Sequence, residues 1–453
     1  MLQKQKINKN SNKHSGPNPV KLLSGLVADQ AGEILELDGY AAVGMEGPML
    51  EPLVVNQTRR IPYGSELMFL PDRKPVLFNL ATRRCETLHE NPHTPGEPIY
   101  PVAAFNSPGY VISYISAYAE NRNAQYLPLF SYGAVGWYQG DFRTAVVMVD
   151  PEPRQDLRKM GREDVVAGVN NMRRSLPNNR LRAHLEHCAL QYGCPAAKNF
   201  FLGRYEAPLP TARECNARCL GCLSLQKEPG ISHSQDRITF TPSPEEIAEV
   251  ALAHIGRVKK SVVSFGQGCE GDPLLAAEVI EPAIRQIRTQ TPHGTINMNT
   301  NGSRPQVLAR LFDAGLDSIR ISMNSVRAAC YRAYFRPKGY RFADVLQSIA
   351  VALASRKFVA VNYLNSPGFT DTPQEIDALS WFLDQYPIHL IQWRNLNFDP
   401  IRYWKLMETA AGHGRPIGME KLLDRIQQRF PKIKFGYFNP PKEKFGLNSD
   451  IVS

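Results

Sequence analysis

The sequence predicts an α/β fold, a partial (β/α)6 barrel or an open doubly wound sheet, preceded by a β-rich or α+β accessory unit. Two patterns and the length predict it. From about residue 207 to 400, strand-like and helix-like segments alternate, as parallel βαβ units require. Before about residue 150 the chain instead shows short β-branched or alternating runs cut by Gly, Pro and Asp. The 453 residues suffice for two or three units with a sizeable core, and 43% hydrophobic with 21% charged residues is ordinary for a soluble globular protein.

Taken in order, residues 1–21 read as a basic, disordered arm. No apolar segment or small-residue cleavage site follows the early lysines, which argues against export. Residues 22–150 form the β-rich accessory unit, with strand signals at 32–39 and 142–150. The stretch 110–118 fits strand or helix, and Trp137 with Phe130, Tyr132 and Tyr138 reads as core. Residues 151–204 form a helical connector, with helical spacing from Glu163 to Leu190 and a stop near Gly193-Cys194-Pro195.

The barrel is assigned to residues 205–400. One strand is expected just before Cys215, then others at 261–266, 294–299, 317–323, 358–364 and 388–394. Helices are expected at 243–258, 274–289, 304–313, 340–355 and 372–385. Ser243-Pro244-Glu245-Glu246 supplies a helix start, with Pro and carboxylates in the first turn. Residues 401–453 are left as a helical or irregular extension. In such a series, functional residues gather at the C-terminal ends of the strands.

The net charge is +10, from 53 Lys and Arg against 43 Asp and Glu. The surplus suits an anionic partner, but no dense basic run with interleaved aromatics occurs, so nucleic acid is disfavoured. No uninterrupted apolar run is long enough to span a membrane, and the expected location is the cytoplasm. Eight cysteines in a long chain without export signals read as reduced thiols rather than a disulfide framework.

Three of them form Cys215-x3-Cys219-x2-Cys222. Three thiolates within eight residues can converge on one centre, and soft thiolates suit iron–sulfur or zinc. A structural zinc site wants four ligands, so zinc needs Cys188, Cys194 or His187 as the fourth. An iron–sulfur cube held by three cysteines leaves one iron open to a substrate.

Following a predicted first strand, this motif resembles that of the radical S-adenosylmethionine (SAM) superfamily, and later segments match in order. The segment Phe265 to Leu275 resembles the Gly-Gly-Glu-Pro segment that meets the SAM amino group, with Gly271 and Asp272 aligned to its second Gly and its acid. Asn299, before Thr300-Asn301-Gly302, and Ser322, in Arg320-Ile-Ser322, fall at the third and fourth strand ends. Asn362, Gln392 and Arg394 fall at the fifth and sixth. Gly221 stands where the family usually has an aromatic residue, and Asp272 is shorter than the usual Glu.

The resemblance implies a radical SAM barrel with a [4Fe–4S] cluster on Cys215, Cys219 and Cys222. It implies SAM contacts from Gly221, Gly271, Asp272, Asn299, Ser322, Asn362, Gln392 and Arg394. The implied activity is reductive cleavage of SAM to a 5′-deoxyadenosyl radical, which abstracts hydrogen from an unidentified substrate. An external low-potential electron donor is the implied partner. Two other classes fit the same cysteines: a zinc-stabilised nucleic-acid-binding protein, and an iron–sulfur carrier or scaffold without SAM chemistry. Cys85, Cys269 and Cys330 are expected to be structural, with Cys269 the one of the three best placed to face the cavity. Cys188 and Cys194, with His184 and His187 nearby, could hold a second cluster or metal, although their spacing matches no metal signature. Tyr331, Tyr334, Tyr363 and Trp393 are read as core or cavity lining.

Overall fold

Seven parallel strands organise the C-terminal half of the protein in this computed structural model, which describes residues 20–226, 229–412 and 414–445. They are β1 (Glu206–Pro208), β2 (Val262–Phe265), β3 (Thr295–Thr300), β4 (Ser318–Met323), β5 (Phe358–Asn365), β6 (Leu390–Asn395) and β7 (Lys434–Gly436). Their spatial order equals their sequence order, each strand pairing in parallel with the next. Such a sheet is wound in one direction and curls into a half-barrel.

Alternation along each strand decides which face the helices cover. Ile296, Met298, Ile319, Ile321, Val359, Val361, Ile391 and Trp393 are buried in one apolar core. They share it with Ile280 and Ile284 of α5 (Ala277–Gln290), Leu308 and Leu311 of α6 (Pro305–Ala314), and Val345 and Ile349 of α8 (Phe342–Ala354). The remaining intervening helices are α4 (Pro244–Arg257), α7 (Ala328–Phe335) and α9 (Pro373–Gln385). Ser243 and Glu246 start α4 with a reciprocal capping box. The residues between the apolar ones, Asn297, Asn299, Arg320, Ser322, Asn362, Gln392 and Arg394, therefore face the inside of the curl.

Two local expectations need correction. The connecting helix is two helices, α1 (Arg162–Ser175) and α2 (Arg180–Leu190), followed by α3 (Pro195–Phe201). Pro177 interrupts the first, and Asn179 starts the second by accepting from the Arg182 N–H at 2.8 Å. The C-terminal extension is not only helical or irregular: after α10 (Pro400–Ala411) and α11 (Met419–Arg429), it adds β7 to the sheet.

Between Ser24 and Met148 the chain forms short antiparallel strands, ten of them in one sheet. The ambiguous stretch 110–118 is strand, at Tyr110–Ile112 and Ile115–Ser116, with a third strand starting at Tyr118. This region docks on the ends of β5 and β6. Asn395 accepts from the Ile112 N–H and donates to the Tyr110 carbonyl, both at 2.9 Å, and Asn365 donates to the Ile112 carbonyl at 2.9 Å. Arg73 adds a buried ion pair to Asp399 at 2.9 Å. Most of the expected N-terminal arm, residues 1–19, lies outside the described residues. Among the described residues no helix is long and apolar enough to cross a membrane.

Candidate metal and cofactor site

The loop leaving β1 carries Cys215, Cys219 and Cys222, as the motif's position after a first strand predicts. All three line one cavity of about 570 Å³. The loop is held from several sides. Near the end of α7, the Phe335 and Tyr334 carbonyls accept from the Arg218 and Leu220 N–H groups at 2.9 and 3.2 Å. Asn397 donates to the Gly221 carbonyl at 2.8 Å. Arg237 donates to the Cys222 sulfur at 3.5 Å and to Ser224 at 3.1 Å.

The disposition of the thiols bears on the choice of metal. With Zn–S bonds near 2.3 Å, two sulfurs on one zinc are at most about 4.6 Å apart. Among the described residues, the group of three ligand atoms lying within 4.8 Å of one another is His184, Cys188 and Cys269. Cys215, Cys219 and Cys222 do not form such a group, although they share a cavity wall. Burial pushes Cys215 up to about 12 and Cys219 well above the usual thiol range, with neighbouring thiols adding to both. A cationic cluster reverses this by binding the deprotonated form.

The loop after β2 is locked onto the cysteine loop by backbone contact. Gly271 N–H donates to the Ala212 carbonyl at 2.6 Å, and Asp272 N–H to the Glu214 carbonyl at 2.8 Å. A Cβ at Gly271 would lie 1.8 Å from the Glu214 oxygen, so only glycine fits. Asp272 is buried. Its carboxylate accepts from Thr300 Oγ1 at 2.9 and 3.0 Å, Asn301 N–H at 2.7 Å and Leu274 N–H at 3.1 Å. Here Asp272 ties the β2 and β3 loops together.

Sequence reasoning passed over Glu270, the neighbour of both. Its buried carboxylate accepts four backbone N–H groups: Thr211 at 2.8 Å, Ala212 at 2.9 Å, Gly266 at 2.6 Å and Gln267 at 2.7 Å. Burial raises it to about 7, against the pull of those hydrogen bonds. The acid lies inside the quoted segment, but a carboxylate that holds backbone looks the same in sequence as one that holds a ligand.

The other expected positions fall on the inner face. Ser322, Asn362 and Gln392 are in register across β4, β5 and β6. Asn299 donates to the Gly266 carbonyl at 3.1 Å, which stitches β3 to the β2 loop. Gln392 accepts from Arg320 at 2.5 Å and donates to Asn439 at 3.1 Å. Arg394 lies 3.7 Å over the Tyr437 ring and donates to the Tyr437 carbonyl at 3.1 Å. Three buried polar atoms on this face have no partner: Asn362 Oδ1, Arg320 Nε and Arg394 Nε. Such atoms are expected where a polar, partly anionic small molecule completes the bonding. A zwitterion with a ribose meets that description, so the residues present fit SAM.

Gly221, by contrast, makes room for protein: a Cβ there would meet the Tyr334 hydroxyl at 2.6 Å. Tyr331, Tyr334, Tyr363 and Trp393 are all buried core. Cys269 does not line the cavity of the three cysteines but turns toward Cys188 and His184. Missed by sequence reasoning were the cations of that cavity. Arg218, Arg237, Arg332, Arg336 and Lys338 line it. They are spread over 121 positions, 218 to 338, so no local run announces them.

Residues 209–379 match the sequence model of the Radical SAM superfamily. The GTP 3′,8-cyclase of Heliobacterium modesticaldum is 26% identical over 217 residues, 48% of this chain and 59% of that protein. The GTP 3′,8-cyclase of Mycobacterium marinum is 30% identical over 221 residues, 48% of this chain and 55% of that protein. The FeMo cofactor biosynthesis protein NifB of Klebsiella pneumoniae is 26% identical over 183 residues, 36% of this chain and 38% of that protein. The chain thus spans little more than half the length of the first two relatives, and its first 200 residues lie outside the family match. Across residues 209–379, well under half of the chain, the half-barrel is thus similar to the radical SAM superfamily, whose members use a [4Fe–4S] cluster and SAM.

Proposed function

We propose that the chain cleaves SAM reductively and uses the resulting 5′-deoxyadenosyl radical to abstract hydrogen from an anionic substrate of the nucleotide class. The observation that carries this reading is the cavity shared by three thiols and five cationic side chains. Cys215, Cys219 and Cys222 hold the cluster, which when bound supplies the low-potential electron for the cleavage. The inner-face residues Asn362, Arg320 and Arg394 have unpaired polar atoms to orient SAM. Tyr334 and Asn397 close the loop behind the cluster and keep it in shape.

The cations at the cavity supply binding energy for negative charge in a confined, partly desolvated space, where it counts most. GTP is the first substrate to try, because two relatives are named for cyclising it. An external reductant completes the set of partners.

The test is anaerobic reconstitution with iron and sulfide, followed by incubation with SAM, dithionite and either GTP or guanosine. Reconstituted protein should form 5′-deoxyadenosine, and Cys219→Ala should form none. Retained cleavage in Cys219→Ala refutes the cluster assignment. Consumption of GTP but not guanosine supports the anionic substrate. Equal use of both overturns the charge requirement, and use of neither removes the nucleotide while leaving SAM cleavage intact.

A further inference from the structure

We propose a second metal site, separate from the cluster, in which His184, Cys188 and Cys269 bind a zinc ion with Cys194 completing the shell. His184 and Cys188 are four residues apart on α2, hence on one helix face. Cys269 comes from the loop after β2, far away in sequence. The three ligand atoms nevertheless lie within 4.8 Å of one another, and Cys188 Sγ is 3.6 Å from His184 Nε2. Tetrahedral zinc with bonds near 2.3 Å to sulfur and 2.05 Å to nitrogen sets that edge at about 3.6 Å and the sulfur–sulfur edge at about 3.8 Å.

Cys194 sits at the start of α3, where its N–H donates to the Cys188 carbonyl at 3.0 Å. Its sulfur is not one of the three ligand atoms that already lie within 4.8 Å of one another, so metal binding draws it in as the fourth ligand. Three sulfurs and one imidazole form a soft, closed donor set of the kind zinc takes in structural sites. Cys188 and Cys269 are buried and His184 is half-buried, so the site is shielded from exchange with bulk water. Binding displaces the three thiol protons and leaves the imidazole neutral.

The placement gives the ion a task. Cys269 precedes Glu270, whose carboxylate holds the loops after β1 and β2 together. The Cys269 carbonyl accepts from the Ile238 N–H at 2.8 Å. An ion here fastens the loop after β2 to the helical connector.

The experiment uses the full chain with Cys215, Cys219 and Cys222 all changed to Ala, so that the cluster motif cannot take metal. Elemental analysis after anaerobic purification should find close to one zinc per chain and no iron. Adding Cys188→Ser and Cys269→Ser should abolish that zinc. Cobalt replacement in the chain with all four ligands intact should give intense tetrahedral d–d bands and thiolate-to-cobalt charge transfer, a readout that needs no ligand variant to fold. The site is overturned by absence of bound zinc or by iron in the three-Ala chain. It is equally overturned by zinc that survives the two serine changes, an octahedral cobalt spectrum, or a Cys188–Cys269 disulfide in the anaerobic protein.

Discussion

At the scale of single residues, Glu270 shows how one carboxylate can order a site without touching its chemistry. Four backbone N–H groups converge on it from two loops. Replacing it with Gln keeps the size but turns one acceptor oxygen into a donor that faces N–H groups. Each buried N–H left unpaired costs about 1–3 kcal/mol. Glu270→Gln should therefore lower the urea midpoint clearly, and reduce the iron retained after reconstitution, with all three cluster cysteines still present. An unchanged midpoint would show that water or a neighbour replaces the carboxylate. Gly271 works at the same scale through shape alone, since any side chain would strike the Glu214 backbone.

At the scale of elements, the half-barrel was largely legible in the sequence. Strands such as Ser318–Met323 and helices such as Pro373–Gln385 fall within a residue or two of their expected positions. Buried parallel strands and amphipathic helices have distinct periods, and those periods survive burial. The three cysteines were legible because a metal motif is local. The single connecting helix was misjudged because helical spacing continues across Pro177, while the break depends on Asn179. That side chain caps α2 and also donates to the Glu246 carbonyl at 2.8 Å and to Glu249 at 2.9 Å, both on α4. Asn179→Ala removes the cap and both bonds, and should destabilise the protein by about 1–2 kcal/mol in denaturant unfolding. The cationic cavity was not legible, and of the His184–Cys188–Cys269 group only the local pair was, because only the folded chain brings the distant members together.

At the scale of the whole molecule, the N-terminal sheets meet the half-barrel partly through charge. Glu46, on the N-terminal side, and Asp371, just before α9, are both buried and lie side by side. Burial and the facing carboxyl raise Glu46 far above the carboxylate range, and burial raises Asp371 as well. Glu46 Oε1 and Asp371 Oδ2 each lack a donor, a deficit that one proton held between them removes. Raised folded values mean that the stability from this proton is complete below the ordinary carboxylate value. It is lost as pH rises through the folded values. The melting temperature should therefore fall between about pH 4.5 and pH 8, and Glu46→Gln should flatten that fall. An identical pH profile in the variant would place the dependence elsewhere.

The clasp between the two cofactor loops also bears on damage by air. Its bonds run from backbone to backbone and from Glu270 and Asp272 to N–H groups, so none of them passes through iron. Oxygen can strip the cluster and leave the scaffold of its thiols standing. A chain bleached in air and returned to anaerobic iron, sulfide and thiol should recover its absorbance without passing through urea. Circular dichroism should stay constant throughout that cycle of injury and repair.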